Sequence, residues 1–278
     1  MNAPVEYMSV AGLELTLDGS VLRVTLDRPE KRNAVDDVMV RGLIDTLTAA
    51  GTDDRVRAIA LSGRGEHFCG GADIVARNRA DDGAETGMPR PRVGGIQRRL
   101  PTQAHHLIAL LCEIQIPVVC KVRGFAAGIG LSLALAADFT IAEEDATFWE
   151  PFSRRGFTPD SGATWLLPRR VGEVRARELL LLGTEFCGKD AAAWGAIHTA
   201  VPAGELDRTV ADLVAHLASG PTVTLGLTKW LLHAGRDASL DQQFHSEAFA
   251  LELSSRTADF REGMAAFRER RPPVFEGR

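Results

Sequence analysis

The chain has no surplus of basic residues, no closely spaced cysteine pair and no long apolar run, and each lack removes a class of function. Its 278 residues carry 32 Lys and Arg against 37 Asp and Glu, a formal net charge of −5. That balance offers no general attraction to a phosphate backbone and argues against a nucleic-acid partner. Cys69, Cys112, Cys120 and Cys187 stand far apart with no C-x-x-C among them, which argues against a thiolate zinc site and a secreted disulfide framework. The seven histidines show no H-E-x-x-H or comparable spacing, so no metal is indicated. The first twenty residues carry Glu6, Glu14 and Asp18 and lack a basic start followed by an apolar run. They read as no secretory signal, and the expected compartment is the cytoplasm, with no membrane partner. What is present is 45% hydrophobic and 25% charged residues, apolar mass enough for one large α/β domain with a smaller appendage.

Residues 14–17 and 21–26 alternate apolar and polar around Asp18-Gly19, which predicts a β-hairpin with one buried face, ended by Asp27-Arg28-Pro29. Val40, Leu43, Ile44 and Leu47 have helical spacing within 36–50, and 58–62 reads as a buried strand. Residues from about 81 to 101 collect Gly, Pro and Arg without periodicity, as a long surface loop that can cover a site does. A helix over 103–113, a strand over 116–122, a short apolar helix over 131–137 and a strand over 197–201 follow. After Pro202 only helical stretches remain, at 205–218, 223–234, 240–253 and 259–270. The chain thus divides into a core, 1–201, and a helical segment, 202–278. The segment's leftover apolar face suits either a neighbouring subunit or an intrachain lid.

Two glycine-bent turns carry the candidate chemistry. The first is His67-Phe68-Cys69-Gly70-Gly71-Ala72-Asp73-Ile74, where a strand gives way to a helix. Paired glycines let the backbone turn sharply and leave amides facing a ligand, and Asp73 can cap the helix that follows; an ordinary tight turn reads the same way. The second is Gly124-Phe125-Ala126-Ala127-Gly128-Ile129-Gly130, between a strand and the apolar helix, where a helix N-terminus favours negative charge. Its glycine order is not the G-x-G-x-x-G of dinucleotide binders.

Together the turns resemble the F-x-x-G-A-D and G-x-A-x-G-x-G of the enoyl-CoA hydratase/isomerase (crotonase) superfamily. The resemblance extends to Asp27-Arg28-Pro29-Glu30-Lys31-Arg32-Asn33-Ala34 near the start and to residues 259–267 near the end, so it spans nearly the whole chain. It implies an α/β fold, a spiral of ββα units with a C-terminal helical oligomerisation region, assembled as a homotrimer or dimer of trimers. It implies an acyl-CoA thioester substrate and no cofactor beyond the coenzyme A of that substrate. The thioester oxygen would be held by the backbone amides of Ala72 and Ile129; Ile129 stands where the family more often has Gly, and its side chain can narrow the acyl pocket. Lys31 and Arg32 would lie near the pantetheine and phosphates, with Cys69, Gly70, Asp73, Ile74 and Gly128 along the same path. Phe267 and Arg270 match positions that reach a neighbour's adenine or phosphates. Read from the residues alone, these cations are equally well solvated surface groups.

The two glutamates typical of the family's hydratases align with Ser132 and Phe152, and neither side chain does carboxylate chemistry. In Thr158-Pro159-Asp160-Ser161-Gly162, Asp160 resembles the acid/base position of several CoA isomerases of the family, including the dienoyl-CoA and ring-epoxyphenylacetyl-CoA isomerases. Otherwise it caps a helix starting near Gly162. Glu150 is a second catalytic candidate, since residues two apart in an extended segment share a face and Glu150 would point with Phe152 toward the acyl chain; otherwise it is a surface or salt-bridged glutamate. Phe148, Trp149, Phe152, Phe157 and Trp165 form core or line an acyl pocket. The expectation is an enoyl-CoA isomerase or atypical hydratase. Its rivals are an acyl-CoA-binding protein without catalysis and a thioesterase using Ser132 as nucleophile.

Overall fold

A computed structural model describes residues 5–73 and 93–278. Strands β1 (Leu13–Asp18) and β2 (Val21–Leu26) pair antiparallel, with Asp18 opposite Val21 across the two-residue turn. Alternation fixes their faces: Leu13, Leu15, Leu22, Val24 and Leu26 are buried while Glu14, Thr16 and Arg23 are exposed. Beyond β2 the sheet grows in parallel through β3 (Ala58–Gly63), β4 (Val118–Val122), β6 (Phe139–Glu143) and β9 (Thr199–Val201). A second sheet joins β5 (Phe125–Ala127), β7 (Thr147–Trp149) and β8 (Phe186–Cys187) in that order.

Helix α1 (Asp37–Ala50) starts where the Asp36 carboxylate accepts the Val38 and Met39 amides, and it buries Val40, Leu43 and Leu47 as their spacing predicts. Part of the stretch read as an irregular loop is helical, since α2 (Gly95–Arg99) and a 3-10 turn at Leu100–Thr102 lead into α3 (Ala104–Glu113). Residues 81–92 of that stretch lie outside the described residues. Helix α4 (Ile129–Ala136) is buried at every position, so it begins two residues before the periodicity suggests. Helix α5 (Ala163–Leu182) bends at Gly172, and α6 (Gly188–Ala193) follows. The tail holds α7 (Leu206–Ala218), α8 (Thr222–Ala234), α9 (Leu240–Ser254) and α10 (Ala258–Glu269), within a residue or two of expectation.

The six-stranded sheet is covered on both faces, which is why β3 and β4 read as continuous apolar runs. Leu206, Val210, Val214 and Leu217 of α7 cover Ala58, Ala60, Val119 and Ile141 on one face, so the first helix of the tail completes the core. Arg57 ties the chain end back to the body by donating to the carbonyls of Gly220 and Phe275 and to Thr222 Oγ1. Among the described residues, no single helix is long and apolar enough to cross a membrane.

Candidate active site

The first glycine turn is a short extended ribbon held on two sides. On one side Gly70 N donates to Arg32 O, Val35 N donates to Gly71 O at 2.8 Å and Asp73 N donates to Val35 O. On the other, Cys69 N donates to Phe125 O and Ala127 N to Cys69 O, bridging the ribbon to β5. No peptide among the described residues is cis, so an amide points opposite to the carbonyl of the same peptide unit. Because Gly71 C=O faces Val35, Ala72 N–H faces away from it, toward the side on which 125–129 lie. In the second turn Ser132 N donates to Gly128 O at 3.0 Å. Ile129 N–H therefore points out of the α4 N-terminus, where the first amides of any helix have no internal partner. Neither amide meets an acceptor among the described residues.

Two glycines make this geometry possible. Gly128 adopts φ 53° and ψ −121°, a region that side chains disfavour. A Cβ on Gly130 would stand 2.7 Å from both the Cβ and the O of Cys69, so only glycine lets α4 lie this close to the first turn.

Behind the first turn stands a brace that the sequence motif did not reveal residue by residue. Asn33 is fully buried; its Oδ1 accepts Arg28 N at 2.8 Å, and its Nδ2 donates to Arg64 O and His67 O at 2.9 and 2.7 Å. Arg28 bonds Ala34 O, Asp36 and, at 2.8 Å, Asp73. The signal available was an Arg and an Asn in one tight turn, both suited to bonding backbone.

The other expected residues separate by environment. Cys69 is fully buried, burial raises its thiol to about 12, and its main-chain bonds to β5 keep the two turns side by side. Lys31 is exposed and pairs with Asp73 at 3.1 Å, and the exposed Arg32 guanidinium lies 5.4 Å from the Phe125 ring centre. Helix capping by Asp73 and the placement of Ile74 fall outside the described residues. Phe267 and Arg270, at the end of α10, are exposed, and no described bond or ring contact joins them to the turns.

The two acid/base candidates, Asp160 and Glu150, differ in environment. Asp160 is partly buried; its Oδ1 accepts the Ser161 hydroxyl at 2.7 Å and its backbone O accepts Ala163 N. Its side chain does not cap α5, whose N-cap is Gly162 without a side-chain bond. It borders a cleft of about 470 Å³ with Ile108, Cys112, Trp165 and His233, among others. Glu150 is neither a surface nor a salt-bridged residue. It is 1% exposed, neither carboxyl oxygen has a hydrogen-bond partner among the described residues, and burial, then the charge of Asp160, push its proton affinity well up. The extended geometry expected at 150–152 ends with β7 at Trp149, and Phe152 is in a helical conformation. Phe152 is 6% exposed, and a Cβ on Gly128 would lie 3.7 Å from the end of its ring, which gives this turn an apolar neighbour. Ser132 is wholly buried, with a hydroxyl that no base contacts among the described residues, so nothing activates it as a nucleophile. Of the other aromatics, Phe148 is core, Trp149 donates to Gly183 O, and Phe157 is exposed.

Residues 16–278 match the family profile described as enoyl-CoA hydratase/isomerase. The chain belongs to this family. Among curated relatives it is 38% identical over 262 residues to the 1,2-epoxyphenylacetyl-CoA isomerase of Escherichia coli K12, covering 94% of this chain and 97% of the relative. It is 29% identical to the 2,3-dehydroadipyl-CoA hydratase of the same organism, over 93% of this chain and 96% of that one. The crystal structure of an enoyl-CoA hydratase from Polaromonas sp. JS666 superposes with a TM-score of 0.85 at 28% identity, over 95% of this chain and 99% of that one. The fold is the crotonase fold, two sheets with C-terminal helices, and the family's members act on acyl-CoA.

Proposed function

We propose that the protein isomerises the double bond of an enoyl-CoA, or hydrates it by an atypical route, with the Ala72 and Ile129 amides holding the thioester oxygen and Asp160 as acid/base. The observation that carries this reading is the orientation of the two free amides, one leaving the Val35-clamped ribbon toward the second turn and the other leaving the α4 N-terminus. When the Asp160 carboxylate takes a proton from C2 of a 3-enoyl-CoA, charge moves through the conjugated system onto the thioester oxygen. Each fixed donor there is worth about 3 kcal/mol, or a hundredfold or more in rate. The protonated Asp160 then returns the proton to C4, leaving the 2-enoyl product, so one carboxyl suffices.

Ser132 and Phe152 at the usual glutamate positions disfavour two-carboxylate hydration, and likeness to a named isomerase supports the choice. Lys31, Arg32 and the first turn are proposed to follow the CoA moiety, with Phe267 and Arg270 serving a neighbouring subunit's CoA in a trimer or dimer of trimers. Their exposure in the single chain supports that assignment.

The test mixes protein with 3-enoyl-CoA and follows the conjugated 2-enoyl chromophore. Asp160→Asn is expected to lower kcat by about a thousandfold while leaving affinity for the CoA ester nearly unchanged. Tight binding by the wild type with neither turnover nor solvent-deuterium exchange at C2 or C4 would replace the enzyme reading with that of an acyl-CoA-binding protein.

A further inference from the structure

Of four carboxyl groups buried or half-buried in the described structure, three find partners and one does not. Asp138 is paired with Lys229 at 2.7 Å, Glu143 with Arg123 at 2.7 Å, and Asp259 accepts the amides of Glu276 and Gly277. Glu150, the most deeply buried of the four at 1% exposure, has no hydrogen bond on either oxygen among the described residues. A charge there would be both dry and unpaired, and burial raises the group's proton affinity, which favours the neutral acid. Its location is equally specific. Gly128 N donates to Trp149 O at 2.9 Å, so the peptide that leads into Glu150 is fastened to the turn that presents Ile129. The charged group acting on it is Asp160, on the segment ahead of α5. Arg154 and Arg155, on the turn after Phe152, make no bond to it; the Arg155 guanidinium lies 5.7 Å from the Trp149 ring centre instead.

We propose that Glu150 is a positioning residue of this site: as an un-ionised acid it leaves Asp160 the single charge beside the thioester, and its ionisation switches turnover off. The inference rests on Asp160 being the acid/base. Forming the enolate moves negative charge onto the thioester oxygen. A second carboxylate beside the site would oppose that charge. On switching, the O–H bond of the Glu150 carboxyl breaks, its electron pair stays on the carboxylate and the proton leaves to solvent; no other covalent bond changes.

The experiment measures kcat against pH for wild type, Glu150→Gln and Asp160→Asn, alongside the infrared band of a protonated carboxyl. Wild type is expected to lose about tenfold per pH unit on the alkaline side once Glu150 ionises. Glu150→Gln should lose that alkaline limb, at a reduced kcat; its spectrum should lack a protonated-carboxyl band that wild type shows at neutral pH. An unchanged alkaline limb in Glu150→Gln, or no such band in wild type, overturns the proposal. Should Glu150→Gln fail to fold, Glu150→Met, apolar and similar in size, is expected to give the same altered profile. Turnover retained by Asp160→Asn would sink the acid/base reading itself. Turnover lost in Asp160→Asn with an unaltered limb in Glu150→Gln would sink only this inference.

Discussion

Burial without a partner makes Glu150 a stability probe as well as a candidate for tuning the site. Its folded proton affinity lies well above the ordinary 4.5, so above about pH 4.5 the folded chain binds a proton that the unfolded chain has released. Stability contributed by this group is therefore intact below that pH and falls as pH rises, by up to about 1.4 kcal/mol per unit, until the folded group ionises. Glu150→Gln removes the titration. Its melting temperature should match wild type near pH 4 and exceed it increasingly toward neutrality; parallel curves would mean that Glu150 is already ionised in the fold. Asn33 behaves oppositely, being buried and satisfied at every bond. Asn33→Ala orphans the Arg28 amide and the carbonyls of Arg64 and His67, and should cost about 3 kcal/mol in urea unfolding. These environments were not legible beforehand. The sequence offered Glu150 as a candidate, but whether a carboxyl between Trp149 and Pro151 meets water or core is decided by segments distant in the chain.

At the scale of elements, the glycine turns were legible because they announce a backbone requirement, and Gly130 states it most sharply. Gly130→Ala puts a methyl against Cys69 at a separation that forces α4 away from the first turn. It should destabilise by about 1–3 kcal/mol and lower kcat by more than it raises KM, because the Ile129 amide is displaced. Steady-state kinetics with denaturant unfolding check both. The hairpin, α1, α3 and the tail helices were also legible, since each is long enough to display a period. Strands β5, β7 and β8 were not, because two or three residues cannot show alternation. In β6 four of five residues are buried, which leaves no pattern to read. The kink of α5 and the turn through Ser161 at φ 53° depend on tertiary packing that no local signal records.

For the whole molecule, the tail helices fall into two environments that periodicity alone could not separate. Helix α7 belongs to the core, whereas α9 presents Leu240, Phe244 and Leu251 to solvent at 69%, 57% and 67% exposure on one face in the single chain. Such a face suits a subunit interface. Phe244→Asp combined with Leu251→Asp should yield monomers by light scattering. If neighbours complete the CoA path through Phe267 and Arg270, the monomers should show a KM for the CoA ester raised by about tenfold or more. An unchanged molar mass would place the assembly surface elsewhere. The proposed function rests on one feature, the main-chain amides of Ala72 and Ile129 on two turns that lie side by side. The most direct measurement is a crystal structure with a non-reactive acyl-CoA bound. The account requires the thioester oxygen at about 3 Å from both Ala72 N and Ile129 N, with Asp160 the carboxyl nearest the acyl carbons. A thioester bound elsewhere, or a side chain filling the space between those two nitrogens in the liganded protein, would contradict it.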